Sequence, residues 1–104
     1  MNLHSKLLER EAAGRPVTVG LIGAGKFGTM FLSQARLTAG MHVVGVADLD
    51  VARARSQLNT AGWPAALYGA DSLDDAHKRR ATHVTDDAMA LIADPRIEVI
   101  VEAT

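Results

Sequence analysis

The sequence predicts an α/β fold, a Rossmann-type parallel sheet with strand order 3-2-1-4 and helices on both faces. Two observations support this prediction. Short runs rich in β-branched residues alternate with helical stretches along the 104 residues, and a glycine-rich turn, residues 23–28, joins the first run to the first long helix. Such alternation favours parallel strands linked by right-handed crossovers.

The composition is typical of one soluble domain with a single core. Hydrophobic residues make up 48% of the chain, and 11 Lys and Arg against 12 Asp and Glu give a formal net charge of −1. This balance supplies no field that would attract nucleic acid or an anionic membrane. The chain has no Cys and no signal-like apolar stretch, so we expect a cytoplasmic protein.

The first half of the chain predicts two strand–helix pairs after a leading helix. Segment 1–15 is interpreted as this leading helix, over residues 5–13, with Gly14 and Pro16 as its stop signal. Residues 16–104 are interpreted as the amino-terminal part of the dinucleotide-binding domain. Its first buried strand is predicted at Val17–Ile22.

The helix that follows is predicted over residues 26–39. Phe27, Phe31 and Ala35 form one i, i+4, i+8 row on it, and Gly40 sits where a C-cap is expected.

A second strand is predicted at residues 43–47, closed by Asp48. Asp50 is then expected to cap a third helix, which carries Val51, Ala54 and Leu58 on one side.

The second half of the chain is less regular. Ser72 and Asp75 resemble a capping box that opens a short helix, and residues 82–84 predict a third strand. Asp86 is expected to cap a helix over residues 88–93, and residues 97–103 predict a fourth strand. We expect the domain to be truncated after this strand.

The glycine-rich turn matches the GxGxxG pattern of dinucleotide-binding folds. Gly23 would permit the tight turn, Gly25 would let the backbone approach a pyrophosphate, and Gly28 would let helix and strand pack closely. Free N–H groups at the start of the helix would face the anion. The match follows a predicted buried strand and opens a predicted helix, which is the context that the motif requires.

Asp48 follows Gly28 by 20 residues and ends the second predicted strand. A carboxylate there is placed to accept hydrogen bonds from the adenosine ribose, which favours NAD. The 2′-phosphate of NADP would be repelled unless Arg53 or Arg55 came close. Lys26 lies inside the loop and could screen the charge of the pyrophosphate.

The end of the fourth strand is expected to approach the middle or the nicotinamide end of the cofactor, because ligands lie beyond the carboxyl ends of parallel strands. The predicted cofactor-binding residues are therefore Gly23, Ala24, Gly25, Lys26, Phe27, Gly28, Asp48, Arg53, Ala103 and Thr104.

No catalytic or metal-binding residue is predicted. The histidines lack metal-ligand spacing, and the acidic residues lack the periodicity of a calcium loop. The residues concerned are His4, His42, His77 and His83, and Asp71, Asp74, Asp75, Asp86 and Asp87.

Three segments together resemble the homoserine-dehydrogenase-like oxidoreductases: residues 20–32 (GLIGAGKFGTMFL), residues 44–48 (VGVAD) and residues 97–104 (IEVIVEAT). The chain is most similar to the deoxyxylulose-phosphate reductoisomerase-like proteins, which also carry a carboxyl-terminal SAF domain. The resemblance implies a cofactor domain followed by a catalytic domain, with NADPH-linked reduction of a small polar or phosphorylated substrate.

The functional hypothesis is therefore an NAD(P)-dependent oxidoreductase, homo-oligomeric when full length, of which this chain is the cofactor domain. The catalytic residues would lie in the missing domain, so the fragment alone is expected to be inactive. The alternatives are a non-catalytic module that senses a dinucleotide and a purely structural α/β domain.

Overall fold

A computed structural model of the chain describes the backbone of residues 3–103 and the side chains of residues 5–103. Helices and strands alternate along the chain, except that α3 is followed by a 3-10 turn and a further helix before the third strand. In chain order the elements are α1 (Leu3–Ala12), β1 (Val17–Ile22), α2 (Lys26–Ala35), β2 (Met41–Ala47), α3 (Val51–Thr60), a 3-10 turn (Ala65–Leu67), α4 (Leu73–Arg79), β3 (His83–Thr85), α5 (Ala88–Ala93) and β4 (Val99–Glu102).

The four strands form one parallel sheet in the order β3-β2-β1-β4. The predicted fold class and strand order are thus confirmed. Because every strand runs the same way, all four carboxyl ends meet at one edge of the sheet. That edge is where β1 leads into the glycine-rich turn.

The sheet is covered on both faces. Consecutive residues of a strand point to opposite faces, and Val43 and Val44 belong to two different core clusters. The larger cluster holds Leu32 of α2 and Leu58 of α3, and the smaller one holds Ala76 of α4. Helices α2 and α3 therefore pack on one face, and α4 packs on the other.

Two glycines lie side by side on the face that α4 and α5 cover. Gly20 of β1 is in register with Gly45 of β2. A Cβ at Gly45 would collide with the side chain of Leu91 on α5, and a Cβ at Gly20 would lie 2.9 Å from Ile100 Cδ1. The missing side chains let the apolar residues of this face rest directly on the strands.

Helix α2 is shorter than predicted and buries a different row. It ends at Ala35 with Arg36 as its C-cap, and Gly40 belongs to the turn before β2, so the prediction of residue 39 as the end and Gly40 as the cap is wrong. The buried residues are Gly28, Leu32 and Ala35. Of the predicted row, Ala35 is buried and Phe31 is partly buried against the core, whereas Phe27 is 59% exposed.

Gly40 has a different role, which a side chain would prevent. Its φ is +84°, a Cβ there would collide with the backbone of Leu7, and its N–H donates to Glu11 Oε1 over 2.9 Å. Gly40 therefore sets the contact between α1 and the beginning of β2.

The amino-terminal helix caps follow the sequence pattern at two of the three predicted positions. Asp50 accepts from the N–H of Arg53 (3.0 Å), and Ser72 accepts from the N–H of Asp75 (3.0 Å), as predicted. The third prediction is wrong by one residue, because Asp87 rather than Asp86 caps α5 by accepting from the N–H of Ala90. Helix α5 begins at residue 88, so the residue immediately before it takes the cap.

Helix α1 lies across the amino-terminal ends of the strands, where two ion pairs hold it. Arg10 contacts Glu98 over 2.7 Å, and Glu11 pairs with Arg80. The hydrogen bond from Arg80, followed by that from Gly40, lowers the pKa of Glu11 to about 2. Across residues 3–103, no helix has both the length and the apolar character needed to cross a bilayer.

Leu32 provides a test of the packing on α2. Leu32→Ala removes a fully buried side chain and should lower the free energy of unfolding by about 2–5 kcal/mol. Met30 lies on the same helix and is 62% exposed, so Met30→Ala should change the free energy of unfolding by less than about 0.5 kcal/mol. Urea unfolding followed by circular dichroism measures both values. Equal values for the two variants would contradict the position of α2.

Candidate functional site

A cleft of about 480 Å³ opens at the carboxyl-terminal edge of the sheet. It extends from the glycine-rich turn after β1 to the loops after β2 and β3, and the end of β4 also contributes. Its lining residues are Ile22, Gly23, Gly25, Ala47, Asp48, Leu49, Arg53, Asp86, Ala88 and Ala103.

The turn between β1 and α2 brings helix and strand into direct contact. Gly23 has φ +93°, a conformation that residues with a side chain rarely adopt, and its N–H donates to the carbonyl of Ala47 over 2.7 Å. A Cβ on Gly28 would collide with the carbonyl oxygen of Gly23. Gly23 is thus required by its backbone conformation, and Gly28 by the packing of helix on strand.

Gly25 differs from these two glycines because nothing in the described part of the chain requires a glycine there. Its φ is −75°, which any residue adopts, and a Cβ built there would meet no described heavy atom within 4 Å. It lines the cleft and is the N-cap of α2, but no side chain caps the N–H groups of this helix end. The backbone here is therefore open to whatever occupies the cleft.

Asp48 is fixed by four hydrogen bonds. Its Oδ2 accepts from the N–H of Ala24, and its Oδ1 accepts from the N–H of Asp50, each over 2.9 Å. Arg53 Nη2 donates to both oxygens, also at 2.9 Å. The carboxylate thereby ties the glycine-rich turn to the beginning of α3.

These contacts determine the charge state of Asp48. Burial raises the pKa of Asp48, but the hydrogen bonds from Asp50, Ala24 and Arg53 outweigh burial, and the pKa lies below its ordinary value. The same pairing raises the pKa of Arg53. At neutral pH the site therefore contains an ionised pair, whose carboxylate is held inside and whose guanidinium lies at the rim.

The structure brings half of the predicted cofactor-binding residues into the cleft. Gly23, Gly25, Asp48, Arg53 and Ala103 all line it.

The other predicted residues have different positions. Ala24 is fully buried and takes part through its N–H, while Gly28 packs against Gly23 behind the cleft. Lys26 and Phe27 are exposed at the start of α2 and do not belong to the lining. Thr104 lies outside the described residues.

Five lining residues were not predicted from the sequence: Ile22, Ala47, Leu49, Asp86 and Ala88. Leu49 is 96% exposed, an unusual state for a leucine, and it directly follows Asp48. Asp86 and Ala88 follow β3, which lies next to β2. The rule that all carboxyl ends share one edge could have found them, since it applies to β3 as much as to β1.

The histidines with described side chains have structural contacts. His42 Nε2 donates to the carbonyl of Ala81 over 2.7 Å, His83 Nδ1 lies 2.9 Å from the carbonyl oxygen of Ala70, and His77 contacts Asp94. Within the described part of the chain, no group of three or more His, Asp or Glu side chains could hold a metal ion.

Comparisons with known proteins add no assignment to this geometry. The chain matches no protein-family model, and no curated protein matches it.

The two glycines of the turn give a matched pair for a stability test. Gly28→Ala places a methyl group against the carbonyl of Gly23 and should lower the free energy of unfolding by about 1–3 kcal/mol. Gly25→Ala, three residues earlier, should cost less than about 0.5 kcal/mol because its methyl group meets open space. Denaturant unfolding of both variants would contradict this geometry if Gly25→Ala were the more damaging change.

The pKa of Asp48 predicts a pH dependence of stability. Because its pKa is lower in the folded chain than the unfolded value of 3.8, its contribution is fully present above that value and is lost as the pH falls through the folded pKa. The stability difference between the wild type and Asp48→Asn should therefore be constant above pH of about 5 and shrink below about 4. Urea unfolding from pH 7 to pH 3 measures it, and a difference independent of pH would refute the ionised pair.

Proposed function

We propose that the chain binds NAD(P), with the pyrophosphate on the glycine-rich turn and the adenosine ribose beside Asp48 and Arg53. The observation that carries the proposal is the open space beside Gly25. Backbone conformation explains Gly23 and packing explains Gly28, whereas Gly25 has a negative φ of −75° and an unobstructed Cβ position. A ligand that approaches the backbone from outside explains a glycine at this position.

The charge distribution supports an anionic ligand at the turn. Helix α2 has ten residues, its N-cap Gly25 lines the cleft, and no described side chain caps its amino-terminal N–H groups. Uncapped N–H groups and the positive end of the helix dipole favour a phosphate. The exposed Lys26 adds a positive charge next to this position.

The remainder of the cleft suits the other parts of a dinucleotide. Leu49, Ala88 and Ala103 supply apolar surface, and the lining reaches from the end of β4, across β1 and β2, to the loop after β3. A dinucleotide in an open α/β sheet lies across the carboxyl ends of the strands in this way. The pyrophosphate would then lie over β1, with the adenosine toward β2 and β3.

In this proposal the chain is the cofactor domain of an oxidoreductase that resembles the homoserine-dehydrogenase-like enzymes. The bound dinucleotide supplies hydride chemistry, and the residues of this chain bind and orient it. Gly25 gives the pyrophosphate access to the backbone, α2 supplies N–H groups, and the Asp48–Arg53 pair adjoins the ribose. The reaction proposed for that oxidoreductase is the reduction of a small polar or phosphorylated substrate.

Gly25→Val tests the proposal directly. The valine side chain would fill the space assigned to the pyrophosphate and should abolish the binding of NADH and NADPH, measured by titration calorimetry. The control is Gly69→Val, outside the cleft, where a Cβ would make only an ordinary contact at 3.6 Å with the carbonyl oxygen of Ala65. Urea unfolding would establish that both variants are folded, and unchanged affinity in Gly25→Val would refute the dinucleotide site.

A further inference from the structure

We propose that Arg53, rather than Asp48, contacts the adenosine ribose. Asp48 positions Arg53, and the site therefore selects the 2′-phosphate of NADP(H). This inference rests on the proposed function and deepens it. It also reverses the expectation from the sequence, in which Asp48 accepts the ribose hydroxyls and favours NAD.

The carboxylate of Asp48 already uses its hydrogen-bonding capacity within the protein. A carboxylate offers about four lone-pair sites. In the structure the two oxygens of Asp48 receive four hydrogen bonds, from the N–H groups of Ala24 and Asp50 and twice from Arg53. Ribose hydroxyls could bind to this carboxylate only by displacing a donor that is already in place.

Arg53, rather than Asp48, is the charged group that is exposed to a ligand in the cleft. The Asp48 side chain is 3% exposed, whereas the Arg53 side chain is 54% exposed, and both residues line the cleft. A ligand that arrives at the end of β2 therefore meets a guanidinium, with the carboxylate behind it. A guanidinium donates hydrogen bonds and accepts none, so it suits a phosphate better than a pair of hydroxyl groups.

Arg53 is fixed by contacts within the protein before any ligand binds. Its Nη2 lies on both oxygens of Asp48, and its backbone N–H is fixed by the capping carboxylate of Asp50. A guanidinium fixed before binding loses little side-chain entropy when it binds phosphate. The repulsion between Asp48 and a 2′-phosphate is correspondingly reduced, because this carboxylate is already paired.

Asp86 is the other carboxylate of the lining, and it opposes a phosphate. It follows β3, which lies on the side of β2 away from the glycine-rich turn. Arg53, in the first turn of α3, directly adjoins the end of β2. The position next to the ribose is therefore governed by Arg53.

The experiment compares NADPH and NADH by titration calorimetry in the wild type, Arg53→Ala and Arg55→Ala. Arg55 is a matched control, an exposed arginine two residues further along the same helix, outside the cleft lining. We expect the wild type to prefer NADPH. Arg53→Ala should weaken NADPH binding by about 10- to 100-fold, the effect of a lost charge-assisted hydrogen bond, and change NADH binding by about twofold at most. Arg55→Ala should leave both affinities unchanged.

Asp48→Asn separates the two roles of the aspartate. A residue that positions Arg53 should, when changed, weaken NADPH binding at least as much as NADH binding, whereas a ribose acceptor should weaken NADH binding more. Circular dichroism establishes that the variant is folded. If it is not, Arg53→Lys replaces it, which keeps the charge but loses the bidentate geometry and should reduce the preference for NADPH.

The outcomes distinguish this inference from the proposed function. A wild type that prefers NADH, or a ratio of affinities that Arg53→Ala leaves unchanged, would overturn the role of Arg53 and leave the dinucleotide site intact. A greater loss of NADH than of NADPH binding in Asp48→Asn would restore Asp48 as the ribose acceptor. If the wild type bound neither dinucleotide, the proposed function itself would be wrong.

Discussion

The close approach of α2 to the end of β1 is the constraint on which the site depends. It is possible because Gly28 has no side chain to meet the carbonyl of Gly23, and because Gly23 adopts a positive φ. This contact places the amino-terminal end of α2 at the carboxyl-terminal edge of the sheet. The open backbone at Gly25 and the uncapped N–H groups of the helix are consequences of this geometry.

Asp48 connects this contact to the rest of the cleft. Its carboxylate accepts from Ala24 in the glycine-rich turn and from Arg53 in α3, so one buried anion joins two loops that are distant in sequence. Burial alone would oppose its ionisation, and three donor residues compensate for it. Removal of the charge would loosen the turn and the rim together.

Features that depend on a few neighbouring residues were predictable from the sequence. The caps at Asp50 and Ser72 involve donors three residues away. The strand order is not a local feature, but it follows from general rules of chirality and connection. The end of α2 was not predictable in this way, because Gly40 is determined by a contact with Leu7 of α1. Local helix signals around residue 40 contain no information about that contact.

The candidate site shows the same division. The glycine pattern identified Gly23, Gly25 and Gly28, whose roles follow from their spacing. The Asp48–Arg53 pair depends on the path of the chain from β2 into α3, and the cleft residues after β3 depend on the neighbour of β2 in the sheet. Neither the Asp48–Arg53 pair nor the position of the residues after β3 can be read from the spacing of residues along the sequence.

The paired glycines Gly20 and Gly45 have a consequence at the carboxyl-terminal edge of the sheet, where the cleft opens. Helix α5 has six residues and one buried side chain, Leu91, which rests in the shallow trough that the absent side chain of Gly45 leaves. Such a short helix has few other contacts to fix its height above the strands. Ala88, the first residue of α5, is part of the cleft wall. The width of the cleft is therefore set partly by how closely Leu91 packs against Gly45.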